Sequence, residues 1–504
     1  MKGMAETILS KLEGGFISNY SLWTEEQKEA AQRIVAELEE HDFLIVRIAW
    51  VDQQGVLKSK RVPKEGFIKS LKNGLNISTG TFIFDSAYAL VFNPFIPGGG
   101  YGVPEMTGCP NITLVPDPLS FKLIPWADRQ AMVMCDIYFN DGQPVPYSAR
   151  QVYRKALDKL KMRGMESMVG LEIEWYLTKI EDPRLGVEHN GDLGLPPAAP
   201  KVSTVEHGLW YQAEPHNQEI HEILDILAEN LLKMGIPLRT MENELGPGQY
   251  EFVFDPLEGM EAADAMMYFK IATKQISRKY GYMATFMCRP HLKGFCSSGW
   301  HLHQSIIDKN TGNNLFMDEN QAISEFGRHY IGGILANARA ASVFTTPTIN
   351  GYKRLKPNSL APTSTVWGIF NRGVMINVHG NPGDASSHFE NRIGEPGANP
   401  YLYMASQIVS GLDGVDHKIE PGEPSETPYD NDRAKLPKSL QEAVDELKRS
   451  ELFLEAFGES FVKYIVAVKE SEYGRYLKYV QEENIANAEV ETTEWEQREY
   501  FEVL

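Results

Sequence analysis

The stretch MVGLEIEWYL, residues 168–177, holds two glutamates among large apolar residues. Glu172 and Glu174 are two positions apart, and alternate residues of a β-strand point to the same face. The pattern therefore predicts a strand that carries two carboxylates side by side in an apolar setting. Alone, such a pair would be explained by the solvent-facing side of an edge strand.

Three further segments place acidic, histidine or arginine side chains in strand-like sequence. They are MENELGPGQYEFVF (241–254) with Glu244 and Glu251, WHLHQSI (300–306) with His301 and His303, and HFENRIG (388–394) with Glu390 and Arg392. Each alone could be a polar strand face or a surface ion pair. Together they indicate one site, because several buried carboxylates need cations to neutralise them. Oxygen ligands with one imidazole suit Mg²⁺ or Mn²⁺, which usually serve phosphate chemistry.

Residues 347–378 add Arg354 and Arg372, whose guanidinium groups can hold a carboxylate or a phosphate. Either arginine alone would be interpreted as part of a surface salt bridge. The sequence contains no Walker A or Rossmann glycine pattern. ATP, if it is used, must therefore be held mainly through metal ions, arginine and histidine.

Composition limits the classes of function. The net charge of −19 argues against a nucleic-acid-binding surface, which requires a basic patch. No run of about 18 apolar residues occurs, so no membrane span is predicted. Residues 1–15 lack the apolar core of a signal peptide. The four cysteines form no CxxC pair, which indicates reduced thiols and a cytoplasmic protein.

Capping patterns, glycine and proline positions, and hydrophobic periodicity predict three parts of the chain. Thr24 followed by Gln27 is a capping-box pattern, and residues 1–40 are predicted to form an N-terminal helical segment. Short strand-like runs separated by glycine and proline follow, so residues 41–142 are predicted to form a small strand-rich domain. Residues 143–504 alternate helical and strand-like patterns and are predicted to form the larger domain.

The chain resembles the glutamine synthetase family over residues 42–415. The motifs that carry the resemblance occur in the family's order and are E-x-E, E-x-G-x-G-Q-x-E, H-x-H-Q-S, P-T-x-N-x-Y-K-R-L and A-N-P-Y-L. The resemblance implies an α+β fold: a small N-terminal β-grasp domain, then a catalytic domain with an antiparallel, barrel-like sheet and surrounding helices. It also implies a homo-oligomer, a dodecamer of two hexameric rings with active sites between neighbouring subunits.

The same motifs assign roles to single residues. Matching metal ligands are Glu174, Glu244 and Glu251 for an ion on the glutamate side, and Glu172, His301 and Glu390 for an ion at the ATP phosphates. His303 and Ser305 match nucleotide-contacting positions. Arg354 matches the arginine that grips the substrate glutamate. Arg372 and Arg392 match arginines that neutralise the transferred phosphoryl group, and Arg372 is also expected at the nucleotide.

The implied reaction has two steps. ATP, with Mg²⁺ or Mn²⁺, phosphorylates the γ-carboxylate of glutamate to an acyl phosphate. An amine then attacks the carbonyl carbon and expels phosphate. In the family, a flap glutamate just before Ala-Pro helps to take a proton from ammonium, and this chain has Leu360 there. An aspartate that binds ammonium from the neighbouring subunit is replaced by Ser78, although Asp85 nearby could act instead.

Loss of both carboxylates suits a neutral, apolar amine, because a cation would need them. An arylamine is a weak base and already neutral at about pH 7. Among family members the chain is therefore most similar to γ-glutamylamide synthetases such as the γ-glutamylanilide synthetases. The ring is expected to contact Leu360 and one of Phe82, Phe84 and Trp300. The alternatives are an alkylamine or polyamine ligase, ordinary glutamine synthetase, and a catalytically silent structural or sensor protein.

Three further positions depart from the family. The N-G-S-G loop before the first histidine of H-x-H is here Cys296-Ser297-Ser298-Gly299, in which Ser297 and Gly299 are expected to contact glutamate. Two arginines that support the ATP phosphates are replaced by Asn377 and His388. All six matching metal ligands are present, which argues against a silent protein.

Overall fold

The amino-terminal part of the chain contains a six-stranded sheet. The structure is a computed structural model that describes residues 12–504, and for residues 216–219 it describes the backbone alone. The elements of the amino-terminal part are α1 (Phe16–Asn19), α2 (Glu25–Glu40), β1 (Ile45–Val51), β2 (Leu57–Pro63), α3 (Lys64–Asn73), β3 (Leu75–Ser78), β4 (Asn111–Pro116), β5 (Lys122–Leu123) and β6 (Gln130–Tyr138). The strand order is β2-β1-β6-β4-β3, with β5 beside β6. Strands β1 and β6 are parallel, and the other pairs are antiparallel.

Helix α2 begins with the predicted capping box. The Gln27 N–H donates to the Thr24 hydroxyl at 3.3 Å, and the Thr24 N–H donates to the Gln27 side-chain oxygen at 3.0 Å. The predicted helical segment thus contains α1 and α2, and its residues 1–11 lie outside the described residues.

A nine-stranded sheet dominates the rest of the chain. Its strands and the helices between them are α4 (Ala149–Met162), β7 (Met165–Asp182), β8 (Lys201–Thr204), α5 (Glu214–Lys233), β9 (Leu238–Asn243), β10 (Gln249–Glu258), α6 (Gly259–Lys279), β11 (Tyr282–Thr285), β12 (Trp300–Asp308), α7 (Glu325–Thr345), β13 (Trp367–Ile369), β14 (Ile376–His379) and β15 (His388–Asn391). The order is β13-β14-β15-β12-β7-β10-β9, with β8 and β11 also on β7. Within the described residues, β13 and β14 are parallel, and the other strand pairs of this sheet are antiparallel.

The acidic stretch at 168–177 lies inside β7, as its spacing predicts. Leu171, Ile173 and Trp175 are buried on the face opposite to the two glutamates. The glutamates are therefore held by a strand whose other face belongs to the core, and β7 is bordered by strands on both sides rather than lying at an edge.

The remaining helices are α8 (Pro400–His417), α9 (Leu440–Arg449), α10 (Glu451–Phe457), α11 (Glu459–Glu482) and α12 (Glu494–Tyr500). Helices α7 and α8 approach closely through glycines. A Cβ atom on Gly333 would lie 2.0 Å from the Ser410 carbonyl oxygen, and one on Gly414 would lie 2.5 Å from the Gly333 nitrogen. Within residues 12–504, no helix is both long and apolar enough to span a membrane.

A buried ionic cluster joins the two sheets. Arg150 of α4 pairs with Asp117 and Asp136 at 2.7 Å and with Asp264 of α6 at 2.8 Å. Asp136 belongs to β6 of the first sheet, so the cluster fastens the first sheet to helices beneath the second. The predicted boundary at 142/143 lies between β6 and α4, and the division into domains stays a prediction.

Candidate active site

Strand register brings the predicted polar residues onto one face of the second sheet. His301 of β12 lies opposite Glu172 of β7, and Glu251 of β10 lies opposite Glu174. On the other side of β12, Glu390 of β15 lies opposite His303. Antiparallel pairing thus turns residues from four distant segments into one row of side chains.

Two groups of three residues in this row could each hold a metal ion. They are Glu172, His301 and Glu390, and Glu174, Glu251 and His301; the ligand atoms of each group lie within 4.8 Å of one another. His301 belongs to both groups, although the sequence predicted it as a ligand of the phosphate-side ion alone. Glu244, the sixth predicted ligand, lies outside both groups, but its charge raises the pKa of Glu174.

The carboxylates of Glu172 and Glu390 are paired with imidazole and guanidinium groups. Glu172 lies 2.5 Å from Nδ1 of His301 and 3.0 Å from Nε2 of His303, and Glu390 pairs with Arg392. Burial opposes ionisation of Glu172, but the two imidazoles outweigh it and hold the pKa of Glu172 below its usual range. The pKa of Glu390 is also lowered, because the hydrogen bond from His379, and then the charges around Glu390, outweigh burial.

The negative charges of Glu174 and Glu251 are not offset in this way. Burial, and then the charge of Glu244, raises the pKa of Glu174 to about 8, against an opposing effect of Arg354. Burial, and then the charges of Glu172 and Glu174, raises the pKa of Glu251 as well. A divalent ion would remove this repulsion. Carboxylate oxygens with one imidazole are the ligands that suit Mg²⁺ or Mn²⁺.

Arg354 reaches the site from a 3₁₀ turn at Gly351–Arg354. Its guanidinium donates to the carbonyl oxygens of Arg392, Ile393 and Gly394 at 3.0 to 3.3 Å. One of its terminal nitrogens also lies 3.3 Å from Nε2 of His301. The arginine is therefore held by backbone oxygens at the edge of the metal-binding group.

The loop before β12 comes very close to the same atoms. A Cβ atom on Gly299 would lie 2.7 Å from both Arg354 and His301 and 3.1 Å from Glu174. The predicted glutamate-contacting Gly299 is thus a position where only glycine leaves room. Ser297, the other residue predicted there, is half-buried, and its carbonyl lies 3.4 Å from the Gln249 side-chain nitrogen.

Arg392 and Arg372 lie on the side of the site toward the flap, the segment around Leu360. Buried Arg392 pairs with Glu390 and donates to the carbonyl oxygens of Arg372 at 3.0 Å and Leu360 at 3.4 Å. Arg372 itself is exposed. Arg392 therefore ties the predicted phosphate-side ligand to the backbone of the flap.

A cavity of about 410 Å³ opens beside Glu172 on the predicted nucleotide side and is lined by Gly170, His303, Ser305 and His388. His303 and Ser305 point to the same face because they are two positions apart in β12. A Cβ atom on Gly170 would lie 3.1 Å from the Cβ of His303, so glycine makes room for the imidazole.

The hydrogen-bond network assigns a charge to His303. Burial lowers the pKa of His388 to about 4, so its ring is neutral near pH 7. Its Nδ1 donates to the Ser386 carbonyl oxygen at 2.7 Å, and its Nε2 therefore accepts from His303 Nδ1 at 3.1 Å. His303 Nε2 also faces a Glu172 oxygen, so both nitrogens of His303 carry protons. Burial opposes this charge, but Glu172 outweighs burial and raises the pKa of His303. His388 thus keeps a cation beside the cavity by orienting His303.

Asn377, the second replacement of a family arginine, does not point at the cavity. Its amide donates to Glu390 at 2.9 Å, and its carbonyl oxygen accepts from the Asn371 N–H at 2.8 Å. The side chain is buried. It therefore orients Glu390 and the chain that leads to Arg372.

The predicted acceptor residue Leu360 lies on the surface of the flap. Its side chain is 60% exposed, and its φ of 57° is in the left-handed region. The exposed Phe370 is a second large apolar residue in this part of the chain. An exposed leucine above an arginine-lined site fits a region that receives an apolar substrate.

Two of the three aromatic candidates for the acceptor pocket, and the alternative acid Asp85, are excluded by their contacts. Trp300 is fully buried and packs against Tyr403, on the face of β12 opposite to His301, and Phe82 is buried against Tyr147 and Tyr464. Asp85 cannot replace the missing acid, because it is buried and paired with Arg475 at 2.8 Å.

Two other residues of the predicted pocket contact nearby residues of the first part of the chain. Phe84 is half-buried against Tyr88. The Ser78 hydroxyl accepts from the Gly80 N–H at 3.0 Å and lies 3.3 Å from the Cys109 sulfur. The role of Ser78 in amine binding stays a prediction.

Sequence reasoning missed three residues of the site. Gln249 donates to Glu174 at 2.9 Å and to Ser298 at 3.0 Å, and it is the glutamine of the E-x-G-x-G-Q-x-E motif. Glu242 hydrogen bonds to Glu251 and helps to raise its pKa; its position opposite Glu251 in β9 could be found only from register. Tyr211, in an irregular loop, has its pKa raised by burial and then by Glu244, with Arg372 opposing.

Comparisons with known proteins identify relatives of the chain. The model of the glutamine synthetase catalytic domain matches residues 146–488. The chain is 43% identical to gamma-glutamylanilide synthase of Acinetobacter sp, over 97% of this chain and 99% of that protein. It is 31% identical to glutamate–isopropylamine ligase of Pseudomonas sp, over 88% and 95%, and 30% identical to glutamine synthetase of Pyrococcus abyssi, over 90% and 96%.

A solved structure supports the fold alone. The structure of a GmaS/ADP complex matches with a TM-score of 0.74 at 22% identity, over 90% of this chain and 98% of that chain. The mixed helix and strand architecture around one curled, mainly antiparallel sheet is therefore that of known relatives.

Proposed function

Because the chain belongs to the glutamine synthetase family of ATP-dependent carbon–nitrogen ligases, we propose that it joins the γ-carboxylate of glutamate to an arylamine through γ-glutamyl phosphate. The observation that carries the choice of amine is exposed Leu360, whose carbonyl oxygen accepts from Arg392 at the mouth of a carboxylate-lined site. The relative from Acinetobacter supports the same choice.

The carboxylate row would hold the metal. Glu172, His301 and Glu390 would hold Mg²⁺ or Mn²⁺ at the nucleotide phosphates, and Glu174 and Glu251, with Glu244 beside them, would hold an ion next to glutamate. When bound, such ions neutralise phosphate oxygens and orient the reacting groups. ATP would enter the cavity lined by His303 and Ser305.

The protein's own groups then perform three tasks. Arg354, fixed by backbone carbonyl oxygens, binds a carboxylate of glutamate. Arg372 and Arg392 offset the charge of the phosphoryl group as it moves from ATP to the γ-carboxylate oxygen, and ADP leaves. The amine nitrogen then bonds to the carbonyl carbon, the bond to phosphate breaks, and the amine proton passes to phosphate or water.

The structure offers little to deprotonate an ammonium cation. The flap position has a leucine, and Asp85 is engaged with Arg475. Glu244 is a half-buried carboxyl whose pKa is raised by burial, and Tyr211 lies near it. Glu244 favours a small alkylamine as the second candidate acceptor, because it could take one proton when no ion binds it.

We infer the assembly and the domain division from the family. The first sheet would be the β-grasp domain of residues 41–142, and residues 143–504 would be the catalytic domain, after the helical segment 1–40. Ser78 would line the active site of a neighbour in a dodecamer of two hexameric rings. The protein would be cytoplasmic. Light scattering of the purified chain tests the assembly, and a monomer at working concentration would contradict it.

An amine panel tests the proposed function. Phosphate release with ATP, Mg²⁺ and glutamate is expected to depend on aniline, with kcat/KM at least about tenfold above that for ammonium, ethylamine, isopropylamine or putrescine. The reason is that aniline arrives neutral and its ring contacts apolar side chains. Omission of glutamate is the control. A preference for ammonium would contradict the proposed acceptor, and no release with any amine would contradict the ligase.

Metal binding is expected to weaken as the pH falls below about 8. Glu174 must lose its proton to bind a cation, and its pKa is about 8. Each proton released on binding lowers the apparent affinity for Mg²⁺ about tenfold per pH unit, so Glu174 alone gives a tenfold fall for each unit below that value. Glu251, whose pKa is also raised, makes the fall steeper when it loses a proton as well. Calorimetric titrations at pH 8.5 and 6.5 in two buffers measure affinity and protons released. Equal affinity at both pH values would show that Glu174 is not a ligand.

A further inference from the structure

Helix α12, near the carboxyl end of the chain, contacts two segments that lead to the proposed glutamate site. One is the turn that carries Arg354, and the other is the loop that leads to Gly299. Glu496 of this helix is completely buried and pairs with Lys353, which is itself buried and directly precedes Arg354. We propose that Glu496 is a positioning residue for glutamate binding, which it controls through Lys353 and Asn350. This inference rests on the proposed role of Arg354.

The contacts of Glu496 fix the turn that carries Arg354. Besides the ion pair with Lys353, the carboxylate accepts from the Asn350 side chain at 2.8 Å. The N–H and hydroxyl of Thr493 hold the same carboxylate at 2.8 and 2.9 Å. Lys353 also donates to the Glu491 carbonyl oxygen at 2.6 Å. Both ends of the 3₁₀ turn are thus fastened to one buried carboxylate.

The same helix holds the second glutamate-side segment. The Gln497 side-chain oxygen accepts from the N–H of His291 at 2.7 Å, in the loop that leads to Gly299. Asn350 links the two segments, since it exchanges hydrogen bonds with the backbone of Arg289 at 2.7 and 3.1 Å. The approach of Gly299 to Arg354 therefore depends on α12 from both sides.

A general need for stability does not explain a buried ion pair here. Apolar residues of similar volume often stabilise a protein as well as or better than a buried pair, because the two charges lose their hydration. What the pair adds is a defined geometry, since a buried charge whose oppositely charged partner moves away is left uncompensated. Small displacements of a substrate-binding group have large kinetic effects.

The test compares Glu496→Gln with Glu499→Gln. Glu499 lies on the same helix, is equally buried and pairs with Arg475 at 2.6 Å, but its contacts lead to Asp85 and Ser86 rather than to the glutamate segments. Initial rates of phosphate release are measured at varied glutamate and at varied ATP, with the best amine of the panel. Thermal unfolding is measured for both variants.

Glu496→Gln is expected to raise KM for glutamate about tenfold, to leave KM for ATP within about twofold, and to recover kcat at saturating glutamate. Glu499→Gln is expected to lose similar thermal stability while KM for glutamate stays within about twofold. If Glu496→Gln does not fold, Thr493→Val, which removes one hydrogen bond to the same carboxylate, is expected to raise KM for glutamate about threefold.

Unchanged KM for glutamate in the folded Glu496 or Thr493 variant, or an equal rise in Glu499→Gln, would overturn the inference and leave the proposed function intact. The wild-type chain, assayed in parallel, separates the two proposals. If it releases no phosphate in response to glutamate with any amine, the proposed function fails, and the role of Glu496 fails with it.

Discussion

Substitution of Glu174 by glutamine is expected to remove almost all ligase activity and, at the same time, to stabilise the metal-free protein. Glu174 is the centre of the uncompensated half of the site, where burial and then Glu244 raise its pKa to about 8. Loss of one charged ligand should lower kcat about 1,000-fold, or about 4 kcal/mol. The measurement is phosphate release with saturating glutamate, ATP and amine.

The opposite effect on stability follows from the sign of the pKa shift. The folded protein holds the Glu174 proton more tightly than the unfolded chain, so ionisation of Glu174 costs stability as the pH rises from about 4.5 to about 8. A neutral glutamine avoids that cost and keeps a polar neighbour for Gln249. At pH 8.5 with EDTA, the variant should be more stable by about 2 kcal/mol or more. Urea unfolding with and without Mg²⁺ measures the difference.

Glu166→Gln is the matched control, because Glu166 lies on the same strand but pairs at the surface with Lys309. It should change neither kcat nor the response of stability to Mg²⁺. A Glu174→Gln protein that keeps normal activity, or that is less stable than wild type without metal, would show that Glu174 is a structural residue.

The row of polar side chains shows which features of the site can be predicted from residue spacing alone. Two glutamates or two histidines at i and i+2 must share a face of a strand, so the face of β7 and that of β12 were predictable. Which residues of different strands meet depends on register, and register is set by the whole sheet. For this reason the resemblance suggested the two metal groups, whereas the shared position of His301 and the contact of Glu242 with Glu251 required the structure.

Long-range partners account for the failed predictions at the acceptor pocket. Asp85 looks like a free acid in the sequence, but its partner Arg475 is 390 residues away. Trp300 borders His301 in the chain, and a strand therefore sends it to the opposite face, where Tyr403 covers it. Tyr211 lies in a loop with no periodic pattern, so no signal in the sequence connected it with Glu244 and Arg372.

Substitution of Leu360 by glutamate is expected to exchange the preferred amine. The leucine is exposed on the flap, above the carbonyl contact with Arg392, so a carboxylate there would face water and the arginine without burial. Positioned general bases contribute about 100-fold or more. We expect kcat/KM for ammonium to rise about 30-fold and that for aniline to fall about 100-fold. The gain is smaller than the loss because Ser78 does not replace the second carboxylate.

Leu360→Gln is the control variant that distinguishes the effect of a charge at residue 360 from the effect of side-chain size and polarity. Residue 360 has φ of 57°, and glutamate and glutamine meet the same backbone strain there as leucine does. Glutamine is polar and similar in size to glutamate but cannot take a proton, so it should lose aniline activity without gaining ammonium activity. Rates with both amines, at several pH values, give the comparison. An equal gain with both variants would mean that polarity alone admits ammonium. No gain with Leu360→Glu would mean that the proton acceptor lies elsewhere, and Glu244, whose pKa is raised by burial, is then the candidate.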